Sequence, residues 1–168
     1  LLVLSASGRT PYALAIAEAA RARGVTVAGF ANVPGAALLG LADIPVLIET
    51  GPEVIAGSTR MGAATAQKAA LNMVSVLAAT RLGHIHDGYM VNLVADNIKL
   101  VDRAARIVAA VADMPRDAAE AALARVAGAV KPAVLVARGM TPEAATAALS
   151  QNGGHLAPLL QGFHQAGS

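Results

Sequence analysis

Leu2-Val3-Leu4-Ser5-Ala6-Ser7-Gly8-Arg9-Thr10-Pro11-Tyr12 opens the chain as an apolar run that ends in a small, hydroxyl-rich turn. The run reads as a buried strand and the turn as the entry to a helix. Thr10 suits the N-cap, and Pro11 suits the first helical position, where its missing N–H has no helical partner to lose. The free N–H groups of such a turn, with the Ser5, Ser7 and Thr10 hydroxyls, point at one spot beyond the strand. That spot favours an anion and suits a phosphate best. Arg9 can add a charge-assisted contact. An ordinary strand–helix connection accounts for the same residues, since short Gly/Ser turns are common between such elements.

Outward from this stretch the pattern alternates. Val25–Phe30 and Ile44–Ile48 read as further buried strands, with a short helix over Ala36–Leu41 between them and Pro45 pushing the last strand toward an edge or a strand start. Arg23-Gly24 supplies a basic last turn and a glycine stop to the first helix. Strand and helix in alternation imply an α/β fold with a parallel sheet, in which ligands sit beyond the carboxyl ends of the strands. Three strands make a poor sheet, because a parallel sheet needs cover on both faces. The opening Leu1-Leu2-Val3-Leu4, with no methionine before a buried strand, reads as a cut through a larger domain whose upstream strands would complete the sheet.

From Ser58 the character turns helical. One long helix is expected from Ser58 to about Leu82, a break at Gly83–Gly88, and a second long helix from about Leu93 to Met114. Short helices over Arg116–Val126, Pro142–Leu149 and His155–Leu160 make a small C-terminal helical bundle. Ala133–Ala137 fits either a strand or a buried helix turn, with its surroundings favouring helix. The tail from Gln161 to Ser168 is expected to fray. The domain reading is residues 1–114, carrying the sheet and the long helices, and 115–168 as a small helical appendage.

Composition narrows the function classes. Of 168 residues 55% are apolar, only 14% are charged and 2% are aromatic, so small and branched aliphatics do the packing and sparse surface charge suggests a face covered by another chain. No apolar run reaches the ~18 residues of a membrane span, and the apolar start lacks the features of a signal peptide. The absence of cysteine excludes disulfides and thiolate chemistry and fits a cytoplasmic setting. A net charge of +2, without a basic run or stacking aromatics, argues against nucleic-acid binding.

Gly51-Pro52-Glu53-Val54-Ile55-Ala56-Gly57-Ser58-Thr59-Arg60 is a second loop leading into a helix, with Ser58 and Thr59 hydroxyls and the Arg60 cation placed for another anion pocket. Glu53 is its only acid. It is a candidate acid/base residue if partly buried, although satisfying the loop's own N–H groups is the better-supported role. His84 and His86 lack a third ligand at helical spacing, so no metal site is expected. Asn97, Lys99 and Arg103 fit a polar helix face.

These motifs, in this order, resemble the N-acetylmuramic acid 6-phosphate etherases. The match runs through Ser5–Tyr12, Gly51–Met61, Ala64-Thr65-Ala66-Gln67-Lys68, Leu71-Asn72-Met73, Met90-Val91, Asn97-Ile98-Lys99-Leu100 and Asp102-Arg103. It spans nearly the whole chain but only the C-terminal part of that family, beginning inside a central strand of its sugar-isomerase (SIS) type domain. The resemblance implies a three-layer parallel SIS-type sheet, partial here, then a helical appendage, a homodimer and a cytoplasmic role in recycling cell-wall sugars. It implies lyase-type cleavage of the D-lactyl ether of an amino-sugar 6-phosphate, without metal or cofactor. Ser7, Gly8, Arg9 and Thr10 match the family's phosphate-side loop, with Ser5 in the same turn and Ser58, Thr59 and Arg60 as further substrate contacts.

The chain departs from the family at three places. The family's two catalytic glutamates lie upstream of the matched segment, Gly62 replaces an expected lysine, and Asn92 and Asp96 replace an aspartate and a threonine. An inactive fragment is therefore expected. Two other readings are a non-catalytic sugar-phosphate regulator resembling the glucokinase regulatory protein and an SIS sugar-phosphate isomerase.

Overall fold

The computed structural model describes residues 1–165 and contains the elements β1 Leu2–Leu4, α1 Pro11–Arg21, β2 Ala28–Ala31, α2 Ala37–Leu41, β3 Ile44–Leu47, α3 Gly62–Arg81, β4 Ile85–His86, β5 Tyr89–Met90, α4 Ile98–Ala112, α5 Arg116–Arg125, α6 Val130–Ala137, α7 Pro142–Gln151 and α8 Ala157–Gln165. It is mostly helical, with one small parallel sheet, and divides into two units, Leu1–Ser75 and Val76–Ser168.

In the first unit β1, β2 and β3 pair in that order, all parallel, with Leu4 opposite Phe30 and Phe30 opposite Val46. Pro45 sits on β3, which ends the sheet, where a missing N–H is tolerated. Val3, Ala13, Ala17, Val27 and Leu38 form the core, as α1 and α2 close over the strands. Parallel sheets ordinarily bury both faces, yet Leu2, Ile44 and Leu47 remain 46%, 52% and 42% exposed.

Several boundaries differ from the sequence reading. β2 begins at Ala28 rather than Val25 because the Val27 N–H turns to the Asp43 carboxylate at 2.8 Å. The long helix starts at Gly62 rather than Ser58. The Ser58 hydroxyl accepts from Arg60 Nε, and the Gly62 and Ala63 amides are instead held by Glu53. The helix expected from Leu93 starts at Ile98, where the Asn97 side chain caps the Lys99 and Leu100 amides. Leu93–Ala95 is extended and bonds the 128–130 turn instead. The break at Gly83–Gly88 contains a hairpin, with Asp87 (φ 46°) and Gly88 (φ 77°) in the two left-handed positions between β4 and β5. Ala133–Ala137 is helical, within α6. Gln161–Gln165, expected to fray, belongs to α8, which starts at Ala157 rather than His155; residues 166–168 lie outside the described residues.

The second unit repeats a helix–turn–helix. α5 with α6 and α7 with α8 correspond at constant spacing: Ala119 answers Ala145, Leu123 answers Leu149, Gly128 answers Gly154 and Pro132 answers Pro158. Their turns match in geometry. Ala127 and Gly128 have φ of 51° and 78°, Gly153 and Gly154 have 60° and 78°, and the Gly128 and Gly154 amides donate to Leu123 and Leu149 carbonyls at 3.0 and 2.8 Å. Each of these alanines and leucines is buried, as are Val130 and its counterpart Leu156. α4 packs on α5 and α6 through Ala104, Ala105, Ile107, Val108 and Ala112, one apolar stripe of the helix.

Candidate functional site

The turn after β1 is built from its own hydroxyls. Ser5, 7% exposed, donates its amide to the Phe30 carbonyl, and its side-chain oxygen accepts from the Gly8 amide at 3.1 Å. Thr10 occupies the N-cap position of α1, but its hydroxyl lies 2.9 Å from the Ser5 hydroxyl rather than on a first-turn amide. Ser7 Oγ accepts from the Arg9 amide at 3.3 Å. Ser5 and Thr10 thus shape the turn from inside. The Ser7, Thr10, Tyr12 and Ala13 amides have no acceptor among the described residues, and Ser7, Arg9 and Thr10 are exposed. Amides left unpaired at a helix start, beside an Arg9 side chain with no partner among the described residues, make an environment that favours an anion.

Gly8 holds the turn against the helix that follows β2. Its φ is 61°, and a Cβ placed on it would lie 2.4 Å from the Ala36 Cβ and 3.1 Å from the Ala31 Cβ. The Gly8 carbonyl accepts from the Leu38 amide at 3.0 Å. Only glycine combines that conformation with that approach.

Asn32, which the sequence reading passed over, ties the ends of the strands together. It is 8% exposed. Its amide N–H donates to the Ala6 carbonyl in the first turn, its side-chain nitrogen donates to Ile48 O after β3, and its side-chain oxygen accepts from Gln67 of α3, the last two at 2.8 Å. The available signal was a lone amide directly after the apolar Ala28–Ala31 run, where a polar group must find partners.

Glu53 carries the second loop into α3. Its two carboxylate oxygens accept from the Gly62 and Ala63 amides at 3.0 and 2.9 Å, and the Ala63 and then the Gly62 hydrogen bonds hold its pKa below the ordinary value. A carboxylate at a helix N-terminus is also favoured by the helix dipole. Ser58, Thr59 and Arg60 line an open hollow with Ala56, Gly57 and Ala64, and Arg60 Nε donates to Ser58 Oγ at 2.9 Å. Glu53 thus anchors the start of α3 while Gln67, on the same helix, reaches Asn32. Asn32 thus joins the first turn, through Ala6, to Ile48 after β3 and to α3, the helix whose start Glu53 holds.

A depressed pKa fixes the sign of an acid-stability effect. The stabilisation from Glu53 is complete above its ordinary pKa of 4.5 and is lost as pH falls through the lower folded-state value. Glu53→Gln should lower the urea midpoint at pH 7 and flatten its decline below pH 4.5 relative to wild type. Parallel midpoint-against-pH curves for the two proteins would show that Glu53 does not serve this anchor.

The chain is 45% identical over 161 residues, 95% of its length, to an N-acetylmuramic acid 6-phosphate etherase of Deinococcus radiodurans. It is 42% identical over 94% of its length to one of Cronobacter sakazakii, and 46% identical over 79% of its length to one of Rubrobacter xylanophilus. This chain is a homologue of the N-acetylmuramic acid 6-phosphate etherases. It spans about half the length of the curated relatives it matches, covering 53%, 54% and 44% of these three, in keeping with a C-terminal part. No protein-family model matches the chain.

The remaining candidates of this etherase homologue lie in the second unit. His86 Nε2 is 3.6 Å from the exposed Asp87 carboxylate, and the His84 carbonyl accepts from the Val91 and Asn92 amides. Among the described residues no group of three or more His, Asp or Glu side chains is placed to hold a metal ion. Asn97 caps α4, while Lys99 and Arg103 lie exposed on that helix. No helix among the described residues is long and apolar enough to cross a membrane.

Proposed function

We propose that this chain is the sugar-phosphate-holding part of an N-acetylmuramic acid 6-phosphate etherase. Its Ser5–Thr10 turn receives the 6-phosphate of an amino sugar on the Ser7, Thr10, Tyr12 and Ala13 amides and on Arg9. The observation that carries the reading is this turn, with its open N–H groups, at the carboxyl end of a parallel strand in a homologue of such etherases. A phosphate is a strong handle, and fixing it leaves the sugar carbons at a set distance for chemistry elsewhere. Ser58, Thr59 and Arg60 extend the same grip from the second loop. The parent reaction is a carbon–oxygen lyase cleavage that eliminates D-lactate across C2–C3 of the sugar and then adds water to give N-acetylglucosamine 6-phosphate, in cytoplasmic recycling of cell-wall sugar.

The sheet is read as the partial core of an SIS-type domain, and the exposed Leu2, Ile44 and Leu47 support cover by further chain in a homodimer. Glu53 is the acid within the Gly51–Arg60 stretch. Both its oxygens are occupied by α3 amides, which suits an anchor rather than a proton carrier, since a general base works best with a pKa near the operating pH. Incubated with N-acetylmuramic acid 6-phosphate, this chain should release D-lactate at no more than the background rate while still binding the phosphosugar. Robust release that disappears in Glu53→Gln would overturn this and give Glu53 the acid/base role.

A further inference from the structure

The second unit holds a hollow of about 270 Å³ among the 91–94 stretch, the start of α6 and the side of α7. Its floor includes the buried Val91, Val130 and Leu149, and its polar groups include Asn92, Lys131 and Ser150. Lys131 is half-buried and donates from Nζ to the Gly154 carbonyl at 2.8 Å; no carboxylate pairs with it among the described residues. Burial lowers its pKa. It also stands in the first turn of α6, where the helix dipole disfavours a cation.

The repeat supplies an internal control. The position answering Lys131 in the second copy is Ala157, so a helix–turn–helix of this kind forms without a lysine there. A cation disfavoured by burial and by the dipole, on the lining of a largely apolar hollow that also carries the Ser150 hydroxyl, matches a ligand with one charged oxygen end and one carbon end.

We propose that this hollow binds a small aliphatic carboxylate, its oxygens on the Lys131 ammonium and the Ser150 hydroxyl and its carbon end on Val91, Val130 and Leu149. A carboxylate fits better than a phosphate, because one ammonium and an apolar floor leave the remaining phosphate oxygens without donors.

The test is an NMR titration of the isotopically labelled chain with propionate, and with inorganic phosphate as the competing anion. Propionate should shift the Asn92, Lys131 and Ser150 signals saturably and raise the Lys131 ammonium pKa. Lys131→Met should weaken binding at least tenfold, and Ser150→Ala, which removes one exposed hydroxyl, should weaken it several-fold without lowering the melting temperature. The proposal is overturned by the absence of saturable shifts, by unchanged affinity in a folded Lys131→Met, or by equal shifts with phosphate. If Lys131→Met does not fold, Ser150→Ala decides: unchanged propionate affinity there also overturns it.

Discussion

Gly8→Ala is expected to lower stability by about 2–5 kcal/mol, adding ~1–2 kcal/mol for a left-handed alanine to ~1–3 kcal/mol for an overpacked contact. The added methyl would meet the Ala36 Cβ at 2.4 Å, and Ala36 has no flexible end to swing aside. Relief requires the helix after β2 to withdraw or the turn to rotate. Either movement strains the Gly8 O to Leu38 N hydrogen bond and the Gly8 N–H to Ser5 Oγ contact. The unpaired amides of the turn move with it, so phosphosugar binding should fall below detection even where the chain still folds. Urea denaturation and calorimetric titration read the two effects separately. A Gly8→Ala chain with wild-type midpoint and wild-type affinity would mean that the close approach to Ala36 is absent in solution.

Asn32→Ala is expected to cost about 1–3 kcal/mol, because it strands the partly buried Gln67 amide and Ile48 carbonyl, each able to recover part of its hydrogen bonding from water. The affected groups come from the end of β3 and from α3, so the loss loosens both loops rather than one. Asn32→Asp separates the two halves of the effect. It keeps an acceptor for Gln67 but sets a second oxygen against the Ile48 carbonyl, and should be at least as destabilising as the alanine. A cycle with Gln67→Ala should show strong non-additivity, since both changes break one bond. Additive losses would place Asn32 outside such a network.

What the sequence disclosed was local. The Ser5–Pro11 turn reads correctly as strand end and helix start because Thr10, Pro11 and Gly8 act within a few residues of one another. The reach of Thr10 toward Ser5 was invisible, since two hydroxyls five residues apart can each choose a backbone partner instead. Boundaries failed where a distant carboxylate intervened: Asp43 at Val27 and Glu53 at Gly62 each capture amides that local propensity assigns elsewhere. Asp87-Gly88 is a standard two-residue hairpin signal, masked here by strands of only two residues on either side. The repeat of α5–α6 in α7–α8 is a signal the sequence reading passed over, carried by the spacing of Leu123, Gly128 and Pro132 against Leu149, Gly154 and Pro158. It decides the ambiguous Ala133–Ala137 run for helix, because its counterpart lies in α8.

Calorimetric titration of N-acetylglucosamine 6-phosphate into the wild-type chain, Arg9→Ala and Ser7→Ala addresses the receptor at the end of β1 directly. Saturable wild-type binding is expected, weakened about ten- to a hundredfold by Arg9→Ala, as for loss of a charge-assisted hydrogen bond. Ser7→Ala should weaken it several-fold, and unphosphorylated N-acetylglucosamine should not compete. Equal affinity in all three proteins, or equal binding of the sugar without its phosphate, would contradict the account.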